Sequence, residues 1–201
     1  MEGKGRRPTE DGFDIVGIGC TTIDEILILE EYPVPETKNQ IIDEVKQCGG
    51  LVSTALVAAA RLGARCSYTA VLGDDEQSAF VMTALEAEGI DTGAIRKEPG
   101  ARPIHSRILV EKKNNTRTII FNRHGVTWLT PQTIDYELIS FSKVVYLDHY
   151  GAESLGHLAF DIRRNGVDIV ADIERNVSSD IFASMNYINH LILPCRFAAD
   201  V

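Results

Sequence analysis

Residues 48–63 read Cys-Gly-Gly-Leu-Val-Ser-Thr-Ala-Leu-Val-Ala-Ala-Ala-Arg-Leu-Gly, and no other stretch constrains the fold as strongly. Two glycines at a helix start leave no Cβ to hold another group away from the chain. The free N–H groups of the first turn carry about half a positive charge. Such a start is shaped for contact with a small polyhydroxylated or anionic molecule. Beyond Gly49 and Gly50 only Ser53, Thr54 and Arg61 bring polar side chains. The helix is therefore expected to be covered on nearly every side, as a central helix.

Hydrophobic residues make up 44% of the 201, ordinary for a globular protein with a sizeable core, one large domain or one with a small appendage. Acidic residues outnumber basic ones, 29 to 20, and the net charge of -9 argues against a nucleic-acid or membrane-surface binder. No apolar run approaches the roughly 20 residues a membrane span needs. Met1 to Gly12 is polar and has no secretory apolar region, so the expected address is cytoplasmic. Cys20, Cys48, Cys66 and Cys195 lack C-x-x-C spacing and are expected to be reduced and buried. The histidines show no metal-ligand spacing, so no metal site is expected from them.

Apolar runs and turn residues alternate along the chain. Asp14 to Gly19 reads as a buried strand, and Glu25–Leu29 and Ile41–Val45 as two strands around a Pro33/Pro35 turn. After the glycine-led helix, Cys66–Leu72 is strand-like. Asp74 and Asp75 then introduce a helix that runs through Phe80, Val81, Ala84 and Leu85 to Gly89. Ile104–Glu111 and Thr116–Asn122, joined by Lys112-Lys113-Asn114-Asn115, form a hairpin. From Thr130 the alternation resumes: a helical stretch to Ser140, a strand Val144–Leu147, a helix Ser154–Arg164, a strand Val167–Ala171, a short helix and a strand Ile188–Leu193. The pattern predicts a three-layer α/β fold with a mostly parallel central sheet, preceded by a flexible polar tail over residues 1–12. A small β appendage is expected from insertions at about 25–46 and 103–122.

In an open parallel sheet, ligands bind beyond the carboxyl ends of the strands. Asp24, Asp74, Asp75, Asp148, Asp172 and Glu174 follow predicted strands, where they could accept hydrogen bonds from hydroxyls or support a hydrated cation. For Asp74 and Asp75 helix capping is the favoured reading; Asp24 has no helix to cap, which favours ligand contact. Gly17-Ile18-Gly19 lacks the third glycine and the helix of a dinucleotide site, and no P-loop is present. Arg117 reads either as a phosphate-reaching guanidinium or, preferably, as a solvated strand charge.

Together, Gly17-Ile18-Gly19 to Asp24, Gly49-Gly50 with its helix closing in Arg61-Leu62-Gly63-Ala64, Gly73-Asp74-Asp75 and Leu85–Thr92 resemble the ribokinase-like (PfkB) carbohydrate kinases, from about residue 13 onward. The resemblance implies a ribokinase-like fold in which the β insertions form a lid over the sugar and often a dimer interface. It implies transfer of the γ-phosphoryl group of ATP to a sugar hydroxyl with Mg2+. Asp24, Gly49, Gly50, Thr54 and Asp148 would contact the sugar, and Arg117 and Asp172 would serve the cofactor. Thr54 stands where the family usually has asparagine, which leaves sugar identity open and keeps a nucleoside acceptor as an alternative. An N-x-x-E pattern does not follow the last strand. The D-T-x-G-A-G-D segment that carries the family's catalytic aspartate is not found among these residues. The chain is therefore expected to represent the N-terminal portion of such a kinase, with the C-terminal part missing and little turnover by itself. The alternative is a non-catalytic sugar-binding or lid-dimerising protein derived from one.

Overall fold

The computed structural model describes residues 12–156, 158–174 and 185–198. In chain order the elements are β1 (Ile15–Ile18), β2 (Thr22–Leu29), β3 (Asp43–Gly49), α1 (Leu51–Arg61), β4 (Cys66–Thr69), β5 (Val71–Leu72), α2 (Glu76–Ala87), β6 (Arg96–Lys97), β7 (Ile104–Glu111), β8 (Thr116–Asn122), α3 (Tyr136–Ser140), β9 (Val144–Asp148), α4 (His149–Leu155), α5 (Leu158–Arg164), β10 (Asp168–Asp172) and β11 (His190–Ile192).

The central sheet has the order β11-β10-β9-β1-β4, and every pairing in it is parallel. Strands buried on both faces are built from continuous apolar runs, and Ile15-Val16-Gly17-Ile18 is one. Val16, Ile18, Val145, Leu147, Ile169 and Ala171 pack with Ile139, Leu155 and Ile162 on one side. Val52, Leu56, Cys66, Tyr68, Val81 and Leu85 form the second core on the other. Each large apolar side chain removed from water there contributes about 1.5–3 kcal/mol. The chain is an α/β fold of three layers with a parallel central sheet. Because all strands run one way, Ile18, Asp148 and Asp172 lie at a common border.

A second, mixed sheet has the order β3-β2-β7-β8, with β2 parallel to β7 and antiparallel to β3, and β7 antiparallel to β8. It is assembled from the two segments read as insertions. Asn115, at φ 52, makes the tight turn of the β7–β8 hairpin.

Several expectations need correction. The helix α1 is not enclosed: Val52, Ser53 and Leu56 are buried, but Thr54, Ala58 and Arg61 are exposed, because one face of small side chains needs no cover. Cys66–Leu72 is two strands, the second pairing with β6 in a separate two-stranded sheet. The helix expected over Ser154–Arg164 is α4 and α5, divided at Gly156 (φ 51), and α4 begins earlier because Asp148 caps it. Cys20 and Cys66 are buried and Cys48 partly so, but Cys195 is exposed. The short helix expected after Ala171 falls largely on residues 175–184, outside those described, as does the tail over 1–11; Met185–Tyr187 form a single 3-10 turn. Among the described residues no helix is long and apolar enough to cross a membrane.

Candidate functional site

Asp24, Gly49 and Gly50 come together where β2 and β3 pair and α1 begins. Thr22 lies directly opposite Gly49 across β2 and β3, and Asp24 opposite Gln47. The Thr22 hydroxyl donates to Asp24 Oδ1 at 2.8 Å, which turns the carboxylate toward Gly49. A Cβ on Gly49 would collide with Asp24 Oδ2 and lie 2.8 Å from the Thr22 hydroxyl. The glycine therefore leaves the space that the Asp24 carboxylate uses. Gly50 is required for a different reason. It caps α1 at φ 102 and ψ 152, and a Cβ there would stand 2.8 Å from the Cys20 carbonyl oxygen. The Gly49 carbonyl accepts from the hydroxyls of Thr21 and Ser53, fixing the approach to the helix.

Asp148 lies one layer beneath. It is fully buried, with Oδ1 accepting from the N–H groups of Tyr150 and Gly151, each at 2.9 Å, and Oδ2 from the Cys20 N–H at 2.7 Å. Charge-assisted bonds of this kind are the strong ones. Cys20 thus donates its N–H to Asp148 and abuts Gly50 through its carbonyl, so Asp148, Cys20, Gly50, Gly49 and Asp24 form one continuous structure. The buried Tyr68 hydroxyl donates to the Gly19 carbonyl at 2.9 Å and holds the end of β1. Burial pushes the Tyr68 phenol well above its ordinary value, and does the same to the Cys20 thiol, with the Asp148 charge adding to it.

The other expected residues have surroundings of their own. Thr54 is exposed on the first turns of α1, where it lines a groove of about 490 Å³ with Gln47, Cys48, Val57 and Phe80, closed at its far end by the Arg61–Glu88 pair. Asp172 stands opposite Asp148 in register, and the Tyr146 hydroxyl donates to it at 3.4 Å. Its carboxyl is raised by burial and by the Asp148 charge, against the lowering effect of the Tyr146 hydrogen bond. The Tyr146 phenol is pushed up to about 12 by burial and by Asp172. Arg117 is exposed on β8, opposite Val110 and beside the hairpin tip, in the other sheet. Asp75 accepts from the Ser78 N–H and pairs with Arg102, in keeping with the capping reading. Among the described residues no group of three or more His, Cys, Asp and Glu side chains could hold a metal ion.

Sequence reasoning missed Thr22, which aims Asp24, and Ser106, which lies opposite Asp24 on β7. The signal was the two-residue alternation Thr22-x-Asp24 and Ile104-x-Ser106-x-Ile108, which puts each set on one face of the sheet.

Residues 13–194 match the pfkB family carbohydrate kinases. This chain belongs to that family. It is 26% identical over 182 residues to the aminoimidazole riboside kinase of Salmonella typhimurium, covering 83% of this chain and 54% of that one. It is 26% identical over 106 residues to mouse ketohexokinase (53% and 36% covered), and 30% identical over 113 residues to fructokinase-2 of Solanum habrochaites (55% and 33%). The chain spans about a third to a half of the length of these curated relatives. Ribokinase from Thermotoga maritima shares the fold, with a TM-score of 0.72 at 20% identity over 92% of this chain and 60% of its own. The Arabidopsis thaliana ribokinase, solved with ribose and ATP, does likewise, at 0.72 and 15% over 90% and 60%.

Proposed function

We propose that this PfkB chain carries the acceptor-binding part of an ATP-dependent carbohydrate kinase, and that its crevice grips a sugar. The observation that carries the reading is the Asp24 carboxylate, held by Thr22 in the space Gly49 leaves open, with Oδ2 donated to by no group of the described residues. An ionised carboxylate accepts from two hydroxyls at once, the demand a polyol makes. Gly49 and Gly50 let the sugar approach the backbone, and Asp148 is a positioning residue that holds Cys20 and thereby the crevice wall. Thr54 offers a hydroxyl near the helix start.

ATP enters this reading through the family, and Mg2+ only as what the resemblance implies. Arg117 and Asp172 stand in different sheets, and the described residues do not by themselves assemble a nucleotide or metal site, so no transfer step is derived through those groups. The 201 residues alone are expected to bind sugar without forming ADP. Calorimetric titration with D-fructose, D-ribose and adenosine, run beside an ADP-formation assay, tests this. Affinity for a sugar that falls by one to two decades in Asp24→Ala supports the reading. Affinity that ignores Asp24 refutes it, and sugar-dependent ADP formation by these residues refutes the expectation of inactivity. Tighter binding of adenosine than of either sugar would favour a nucleoside acceptor.

The homodimer expected through the lid has support of its own. On the Asp24 face, Val45, Ile119 and Phe121 are exposed beside Ile26 and Ile108, an apolar surface that a second copy would cover. Sedimentation velocity should then give a dimer that Ile119→Asp converts to monomer.

A further inference from the structure

The outer face of the mixed sheet, turned away from Asp24, is charged where it meets the body of the fold. Strand alternation puts Ile23 and Glu25 of β2, Lys46 and Cys48 of β3, and His105 and Arg107 of β7 on that face. His105 lies opposite Ile23 and, on β8, Asn122; Glu25 lies between Lys46 and Arg107. Helix α2, fixed in the second core by Val81 and Leu85, backs this face at three places. Its cap Asp75 pairs with Arg102 at 3.1 Å, the Gln77 amide nitrogen is 3.2 Å from His105 Nδ1, and Lys46 Nζ stands 4.8 Å from the centre of the Phe80 ring.

Of these three ties, the one through His105 is built on the side chain that changes charge near neutral pH. The other ring nitrogen, Nε2, is 2.9 Å from Glu25 Oε1, yet it makes no aligned hydrogen bond there or elsewhere among the described residues. The contact is therefore one of charge, strong while the imidazole carries its extra proton and weak without it. Arg107, 3.2 Å from Glu25 Oε2, and Lys46 across the strand pair are exposed cations that temper this attraction. The Gln77 amide suits both states. It donates to a bare Nδ1 or, turned over, accepts from a protonated one, and the second bond is charge-assisted and stronger. Protonation thus tightens both contacts of the ring.

We infer that His105 is a positioning residue: with Glu25 and Gln77 it holds β2 against α2, and so fixes Asp24 on the opposite face of the same strand more firmly when the ring is charged. The inference rests on the reading of the Asp24 crevice as a sugar site. A sugar that requires Asp24 in place favours the tightened arrangement, so by linkage its affinity rises as the ring takes up a proton.

The experiment is a calorimetric titration of the 201-residue chain with D-fructose, which has no group that ionises in this range, at several values between about pH 5.5 and 8. The unaltered chain is expected to bind about two- to fivefold more tightly at the acid end. His105→Asn, whose amide reaches the Nδ1 position but does not titrate, should lose this slope, and Glu25→Gln should reduce it. Should circular dichroism show His105→Asn unfolded, His105→Gln takes its place. A slope that survives in the His105 variant would assign the pH dependence to another group and overturn the inference. A loss of affinity in that variant that is equal at every pH would mark His105 as merely structural, with the same consequence. Flat affinity in the unaltered chain, while Asp24→Ala still weakens binding, overturns the inference and leaves the crevice intact. If Asp24→Ala is without effect, or the unaltered chain binds no sugar, the crevice reading fails and the inference with it.

Discussion

Replacing Gly49 and Gly50 singly by alanine should damage two different properties of the protein. At Gly49 the new methyl would occupy the position of Asp24 Oδ2 and crowd the Thr22 hydroxyl at 2.8 Å. Both are ends of side chains, so the carboxylate swings aside and the fold survives, at a cost of about 1–1.5 kcal/mol for the weakened Thr22–Asp24 bond. The sugar loses its carboxylate partner. Hydrogen bonds to a charged group are worth about 1.5–3 kcal/mol, so affinity should fall roughly ten- to 150-fold. At Gly50 the obstacles are backbone atoms, the Cys20 oxygen at 2.8 Å and Thr21 Cα at 3.0 Å, and φ is 102. Strain of about 1–3 kcal/mol has nowhere to relax, which for a chain of this size lowers the melting temperature by roughly 2–12 °C. Titration with D-fructose and D-ribose, paired with thermal melts, separates the two. Native-like sugar affinity in Gly49→Ala would refute the argument that this glycine exists to admit Asp24.

Asp148→Ala leaves three buried N–H groups without their acceptor and should cost about 3 kcal/mol or more, seen as a melting temperature roughly 6–12 °C lower; an unchanged melt would contradict the positioning role. Asp172 has a folded-state pKa raised above its ordinary 3.8, so the folded state holds a proton that the unfolded chain releases, and stability is lost as pH rises through the raised value. Asp172→Asn should therefore raise the melting temperature near neutral pH, with the gain vanishing as pH falls toward 3.8, and an advantage independent of pH would be inconsistent with this. A thiol reagent added to the native chain should modify exposed Cys195 first, Cys48 more slowly, and Cys20 and Cys66 only on unfolding, as read by mass spectrometry.

The parallel sheet was legible because Asp14–Gly19, Val144–Leu147 and Val167–Ala171 are apolar runs bounded by turns, and the second sheet because its hairpin carries its own turn residues. Asp24, Gly49 and Gly50 could be proposed as one site because a glycine pair at a helix start admits close contact and Asp24 has no helix to cap. The occupation of Asp148 could not, because its three donors come from Cys20 and from the turn that follows it, a contact across 128 residues in the first case. Thr54 was assigned from its place in the helix start, and its side chain lines a groove together with Gln47, the residue opposite Asp24. Ser106 escaped notice because a single serine in an apolar strand has no meaning until the register puts it opposite Asp24.

The most direct measurement is the map of amide chemical-shift changes when D-fructose is added to the isotopically labelled 201-residue chain. The largest changes should fall on Thr22, Asp24, Gly49 and Gly50, with Ser106 among them. Changes confined to the groove between α1 and α2, around Val57, Phe80 and Leu85, would place the sugar elsewhere and contradict the account.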